Sequence, residues 1–103
     1  MASGDIFTID MMTTSQQTVS INVDCLLIYA KVVFYNMSGY ANEGYLAVLD
    51  SGGNILVKLC GVNQNSYTVV EREIKKVKIS AGEQLYISRT WGECSARFTF
   101  MEL

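Results

Sequence analysis

Apolar and polar residues alternate with period two along most of this chain, the pattern of strands that bury one face. Phe7, Ile9 and Met11 alternate with Thr8 and Asp10, and Val19, Ile21 and Val23 with Ser20, Asn22 and Asp24. A long apolar stretch follows from Cys25 to Tyr35. Its even positions, Leu26, Ile28, Ala30, Val32 and Phe34, are wholly apolar and are expected to face a core. Its odd positions carry Tyr29, Lys31 and Tyr35, an amphipathic outer face. The inward parity changes near Asp24-Cys25, which predicts a turn or bulge there.

Asn36 to Gly44 reads as a loop from its Asn, Ser and Gly content. Tyr45–Leu49 and Ile55–Leu59 flank Asp50-Ser51-Gly52-Gly53-Asn54, two β-prone runs around a turn sequence, hence a hairpin. Gly61 to Ser66 reads as a second loop. Tyr67–Ile79 admits two readings. Val70, Ile74 and Val77 have helical spacing and Glu71–Lys75 is a helix-type charge pair. The stretch is nonetheless β-branched, so one or two charged strands are expected, with a helical turn as the alternative. Ala81-Gly82-Glu83 is a tight turn, and Leu85 and Ile87 alternate with Tyr86 and Ser88. Arg89–Ser95 is a loop containing Trp91, and Ala96, Phe98 and Phe100 make a last strand.

About eight antiparallel strands in one domain spanning residues 1–103 fit an all-β sandwich. A jelly roll is preferred over an immunoglobulin-like arrangement, because no Cys…Trp…Cys spacing is present. Proline is absent, so edge strands must be blunted by charge, and Glu71–Lys78 is the candidate.

Composition sharpens this picture. Charged residues are 17% and hydrophobic ones 50%, with a mean hydropathy of +0.20. A small domain has much surface to solvate, so the shortage of charge points to a surface covered in the working state, most simply by other copies of the chain and otherwise by an obligate partner, with a neutral Ser, Thr, Asn and Gln surface as the alternative. Residues 1–57 hold five acids and one base, whereas 58–103 hold seven bases and five acids, so complementary faces are expected to help copies dock. Net charge is −2, and the one basic cluster, Lys75, Lys76 and Lys78, follows Glu71 and Glu73; no nucleic-acid partner is expected. No apolar run reaches the length of a membrane span. The N-terminus has no basic region followed by an apolar run, so no secretory signal is expected. Cys25, Cys60 and Cys94 lack metal-ligand spacing and are expected to be reduced, mostly buried thiols.

The chain has no histidine, which removes the commonest general base and most transition-metal ligands. No phosphate-binding glycine motif occurs. Two carboxylates could still meet as a glycosidase pair, but most acids fall in turns or at outward positions. Asp50 and Asn54 are oxygen ligands of the type calcium takes, yet such a turn is more often only a turn. The expectation is a non-enzyme with no cofactor and no metal. The aromatics are the functional lead. Tyr29, Lys31, Val33 and Tyr35 alternate away from the core and are the expected subunit contacts. Tyr40 and Tyr45 flank a loop, and with Trp91 they could form a platform for a glycan; Trp91 could equally plug one end of the sandwich.

Leu46–Val57, with its Leu-Asp-x-x-Gly-Asn hairpin, and Val77–Ile87, with Ile-x-Ala-Gly-x-x-Leu-Tyr-Ile, resemble segments of small jelly-roll modules on bacteriophage virions, including head-decoration and fibre-type proteins. That resemblance implies a structural, oligomeric protein bound to a protein lattice, in the virion or host cytoplasm. A carbohydrate-binding module and a small inhibitor acting through one face are the alternatives.

Overall fold

The alternation resolves into nine strands in the computed structural model, which describes residues 3–90 and 92–103. They are β1 (Ile6–Thr13), β2 (Gln16–Ser20), β3 (Cys25–Asn36), β4 (Asn42–Leu49), β5 (Ile55–Gln64), β6 (Thr68–Ile74), β7 (Val77–Ile79), β8 (Gln84–Arg89) and β9 (Glu93–Glu102). Two antiparallel sheets form a sandwich. Sheet A has the order β1-β9-β3-β6 with β7 also on β3, and sheet B has β2-β8-β4-β5.

The pairing follows one rule. β1 pairs with β9, β2 with β8, β3 with β6 and β7, and β4 with β5. The chain is therefore a single long hairpin, with its bend at Asp50–Asn54, rolled across two sheets. This winding interleaves the acid-rich first half with the base-rich second half. Asp10 of β1 pairs across strands with Arg97 of β9, and Lys31 of β3 bridges to Glu71 of β6 at 3.6 Å. The complementary charged faces expected from sequence do not form, because every strand of one half lies beside a strand of the other.

The core lies between the sheets. Phe34, Phe98, Phe100, Met11, Leu27, Leu46, Leu85 and Ile87 are fully buried. Burying each large apolar side chain contributes roughly 1.5–3 kcal/mol. Phe100 stacks on Phe7 with ring centroids 5.0 Å apart.

The structure agrees with the sequence reading in making 67–79 charged strands, and differs from it in the β3 parity and at four strand ends. The parity of β3 does not change at Asp24-Cys25. It changes at a bulge, where Leu27 pairs with Phe100 and Tyr29 with Thr99, leaving Ile28 as the extra residue. Cys25 and Leu27 thus face inward before the bulge, and Ala30, Val32 and Phe34 after it; Leu26 is half-buried and Ile28 exposed, not core. The segment 67–79 is two strands with no helical turn, broken where Lys76 takes a left-handed φ of 60°. β5 runs on through Gly61–Gln64, which had read as a loop, and β4 begins at Asn42, inside another expected loop. β8 includes Arg89 and β9 starts at Glu93, shortening the last loop to 90–92.

β5 and β6 are the sheet edges on one side of the sandwich. β6 carries Glu71, Arg72 and Glu73, the charged edge that sequence predicted. β5 is not blunted in the same way, for Ile55, Leu56 and Val57 stand in a row, each about half exposed.

Candidate functional site

The ends of this sandwich differ in charge. One end gathers the turns 21–24, 50–54 and 80–83 with Gly4, Asp5 and the end of β9. Ala81 N donates to Asp24, Gly82 N to Ile21 O, Gln84 Nε2 to Asp50 O, and Leu103 N to Asp24 O. Asp5, Asp24, Asp50, Glu83 and Glu102 all lie there. The opposite end, the tip, is built from loops 14–15, 37–41, 65–67 and 90–92, and none of these contains a charged residue. Their make-up is Tyr, Ser, Thr, Gly, Asn and Met with one Ala and one Trp, close to the composition of adaptable binding loops.

Beneath the tip lie the four buried polar side chains of the described residues: Asn36, Asn42, Gln64 and Arg89. Each continues the inward row of its strand, after Phe34, before Gly44 and Leu46, after Val62, and after Ile87 respectively. Arg89 Nη1 donates to Asn42 Oδ1 at 2.6 Å, and Nη2 to the Tyr35 carbonyl at 2.8 Å and to Gln64 Oε1. Gln64 Nε2 donates to Phe34 O at 2.8 Å. The guanidinium also sits over the Phe34 ring, 5.2 Å from its centroid. No carboxylate pairs with Arg89 among the described residues, and Arg89 Nε and Asn42 Nδ2 have no partner there. Burial accordingly pulls the guanidinium pKa below its ordinary value.

This knot ties all four loops. Asn36 Nδ2 donates to Tyr40 O at 2.7 Å and Asn65 O at 2.9 Å, joining two of them. Arg89 N donates to Ser15 O, and Thr90 N to Glu43 O. Gly92 fits only as glycine, with φ 113° and its β-carbon position in collision with Tyr35 O. Tyr67 is held at φ 55°, a costly conformation for a bulky residue, and is 69% exposed. Tyr40 (68%) and Met37 (58%) are exposed beside it. On the sheet A side of the tip is a cleft of about 470 Å³ lined by Thr14, Tyr35, Met37, Ser38, Thr90 and Glu93, with Gly92 at its wall.

Tyr29, Lys31, Val33 and Tyr35 all point outward from sheet A, as alternation required. Tyr29 and Lys31 already have partners within the chain. Tyr29 Oη donates to Glu73 at 3.0 Å, which raises the phenol pKa, and Lys31 bridges Glu71. Tyr35 belongs to the tip. Tyr40 and Tyr45 do not form one platform: Tyr40 is in a tip loop, whereas Tyr45 lies on the outer face of sheet B, edge-on to Tyr86 and under Lys58 Nζ at 4.4 Å. Trp91 lies outside the described residues. The Asp50 carboxylate accepts from Gly52 N, Asn54 N and Asn54 Nδ2, which lowers its pKa and makes it the lock of a turn. No group of three or more metal-ligating side chains gathers among the described residues. The buried amides and Arg89 escaped sequence reading, although each extends an inward row at period two, which was the available signal.

No family model matches this sequence, and no curated protein does. In fold, the chain is similar to several solved structures. The core of Drosophila NLP, described for its pentamer formation and histone binding, matches with a TM-score of 0.58 at 6% identity, over 95% of this chain and 98% of that one. Infectious bursal disease virus matches in its T=1 particle, with a TM-score of 0.51 at 12% identity, over 95% of this chain and 31% of that one. The Gx strain of the same virus gives 0.50 at 12%, over 95% and 32%. The chain thus spans about a third of the virus protein it matches. At such identities the likeness is one of fold, an all-β sandwich shared with virion proteins.

Proposed function

We propose that this chain is a non-catalytic structural protein that assembles with copies of itself, as a virion accessory component of the decoration or fibre type. The rolled hairpin, with its four ladders, is read as a jelly roll. The observation that carries the proposal is the β5 edge. Three consecutive apolar residues, Ile55, Leu56 and Val57, stand about half exposed on an edge strand, which is a template for pairing or packing with another chain. The β4–β5 register shifts at Leu56, leaving it the extra residue between Ile55 and Val57, so the contact is read as packing of these side chains on another copy rather than as a continued ladder. β6 carries Glu71, Arg72 and Glu73 and offers no such apolar row. The outer face of sheet A, with Tyr29, Lys31 and Val33, is the other surface available to a copy. The form implied by the virion resemblance is a trimer seated on a protein lattice.

Sedimentation across a hundredfold dilution tests this reading. Self-association that Leu56→Lys abolishes, with the melting temperature kept, supports it through β5; loss with Tyr29→Glu instead moves the contact to sheet A. A monomer at every concentration overturns the proposal.

A further inference from the structure

We infer that the cleft at the tip is a binding site for a neutral pyranose sugar. The cleft is of the size that small ligands occupy. Its centre is a cross-strand pair, Tyr35 of β3 opposite Glu93 of β9, both on the outer side of sheet A. Such a pair suits a pyranose. The ring offers a flat apolar surface to the C–H face of the sugar, and the carboxylate accepts hydrogen bonds from adjacent hydroxyls. Thr14, Ser38 and Thr90 add hydroxyl groups around the rim. The Thr90 and Ser38 oxygens are fixed by Glu43 and Asn36, so they present their remaining lone pairs in set directions.

Charge narrows the ligand. Among the described residues no Lys or Arg lines the cleft, and the one charged group there is Glu93. A phosphorylated or carboxylated ligand would meet repulsion with no compensating cation. The polar knot beneath supplies the stiffness that weak sugar contacts need. Arg89 holds the Tyr35 carbonyl and Asn36 ties the loops together, so little ordering remains to be done on binding. The cleft shares no residue with the β5 edge.

The test is two-dimensional amide NMR of the full chain during titration with methyl glycosides of glucose, galactose and mannose, with N-acetylglucosamine, and with lactose against sialyllactose. At least one neutral sugar is expected to shift Tyr35, Ser38 and Glu93 amides saturably at concentrations up to about 20 mM, the range of single-site sugar contacts. Sialyllactose is expected to bind more weakly than lactose. Tyr35→Ala should weaken binding about tenfold or more. That variant keeps the Arg89 bond, which is to the backbone, and its melting temperature checks the fold. Glu93→Gln, a smaller change, should weaken the same sugar and relieve the penalty on sialyllactose. No saturable shift at the tip with any neutral sugar, undiminished binding by Tyr35→Ala, or shifts mapping to sheet B instead would each overturn the inference.

Discussion

The side chain of Arg89 lies across the α-carbon of Gly44, where a β-carbon would stand 2.9 Å from Arg89 Cδ and 3.0 Å from its Nη1. Gly44 occupies an inward position of β4, and its missing side chain is the channel through which the guanidinium reaches Asn42 and Gln64. Gly44→Ala should therefore destabilise the fold by about 1–3 kcal/mol, the usual cost of overpacking. In an Arg89→Ala background the added methyl should cost clearly less, giving a coupling of about 1 kcal/mol or more in a double-mutant cycle by urea unfolding. Equal costs in the two backgrounds would show that Arg89 is not what fills the space.

Gly92 is constrained from a different direction. Its φ of 113° disfavours any side chain, and a β-carbon would collide with the Tyr35 carbonyl. Gly92→Ala should cost about 2 kcal/mol or more. Because the clash is local to the tip, amide shifts should change around Tyr35 and Asn42 and leave the 50–54 turn untouched. Changes spread evenly over both ends would contradict this.

Asp50 gives a pH dependence. Its hydrogen bonds from Asn54 and Gly52 hold the carboxyl below the ordinary carboxylate value. A group whose folded pKa is depressed contributes stability above its unfolded pKa and loses it as pH falls through the folded value. The urea midpoint of Asp50→Ala should thus lie below that of the unaltered protein at pH 7, with the difference shrinking below about pH 4. A difference that persists unchanged into acid would mean that the turn is held by other bonds.

The thiols should be inert in the native state. Burial pushes Cys60 up to about 11 and Cys94 up to about 12, and raises Cys25 as well. Only the thiolate reacts with a disulfide reagent such as DTNB, so at pH 8 labelling should be about a hundredfold or more slower than in urea-unfolded protein. These raised values add stability that is complete below the ordinary thiol pKa of 9.0 and drains away as pH rises toward about 12. Rapid labelling of a single thiol at pH 8 would identify a strand that opens, and Cys60 on the β5 edge would be the first to examine.

Much of this fold can be read from alternation. The hairpin around Asp50, the inward row Ala96-Phe98-Phe100 and the outward row Tyr29-Lys31-Val33-Tyr35 all follow from period two. The reading fails where inward positions turn polar. Asn36, Asn42, Gln64 and Arg89 point between the sheets as Phe34, Leu46, Val62 and Ile87 do, yet by composition they look like loop residues. Strands β3, β4, β5 and β8 were therefore cut short at the tip, and the site they build was missed with them. The bulge at Ile28 was displaced for a related reason. An extra apolar residue in an apolar run leaves no mark in the pattern, and only the partner strand shows which side chain was pushed outward.

The rolled hairpin also dictates an order of events during synthesis. Ile6 pairs with Met101 and Thr13 with Cys94, so the first strand has no sheet partner until the last strand has left the ribosome. β3 likewise lacks its neighbour β9 until then, although β4 and β5 can close at once. Phe7 and Ile9 of β1 therefore lack their neighbouring strand until β9 has been made. Contacts so distant along the chain make for slow folding, and β4–β5 is the segment from which it can start early.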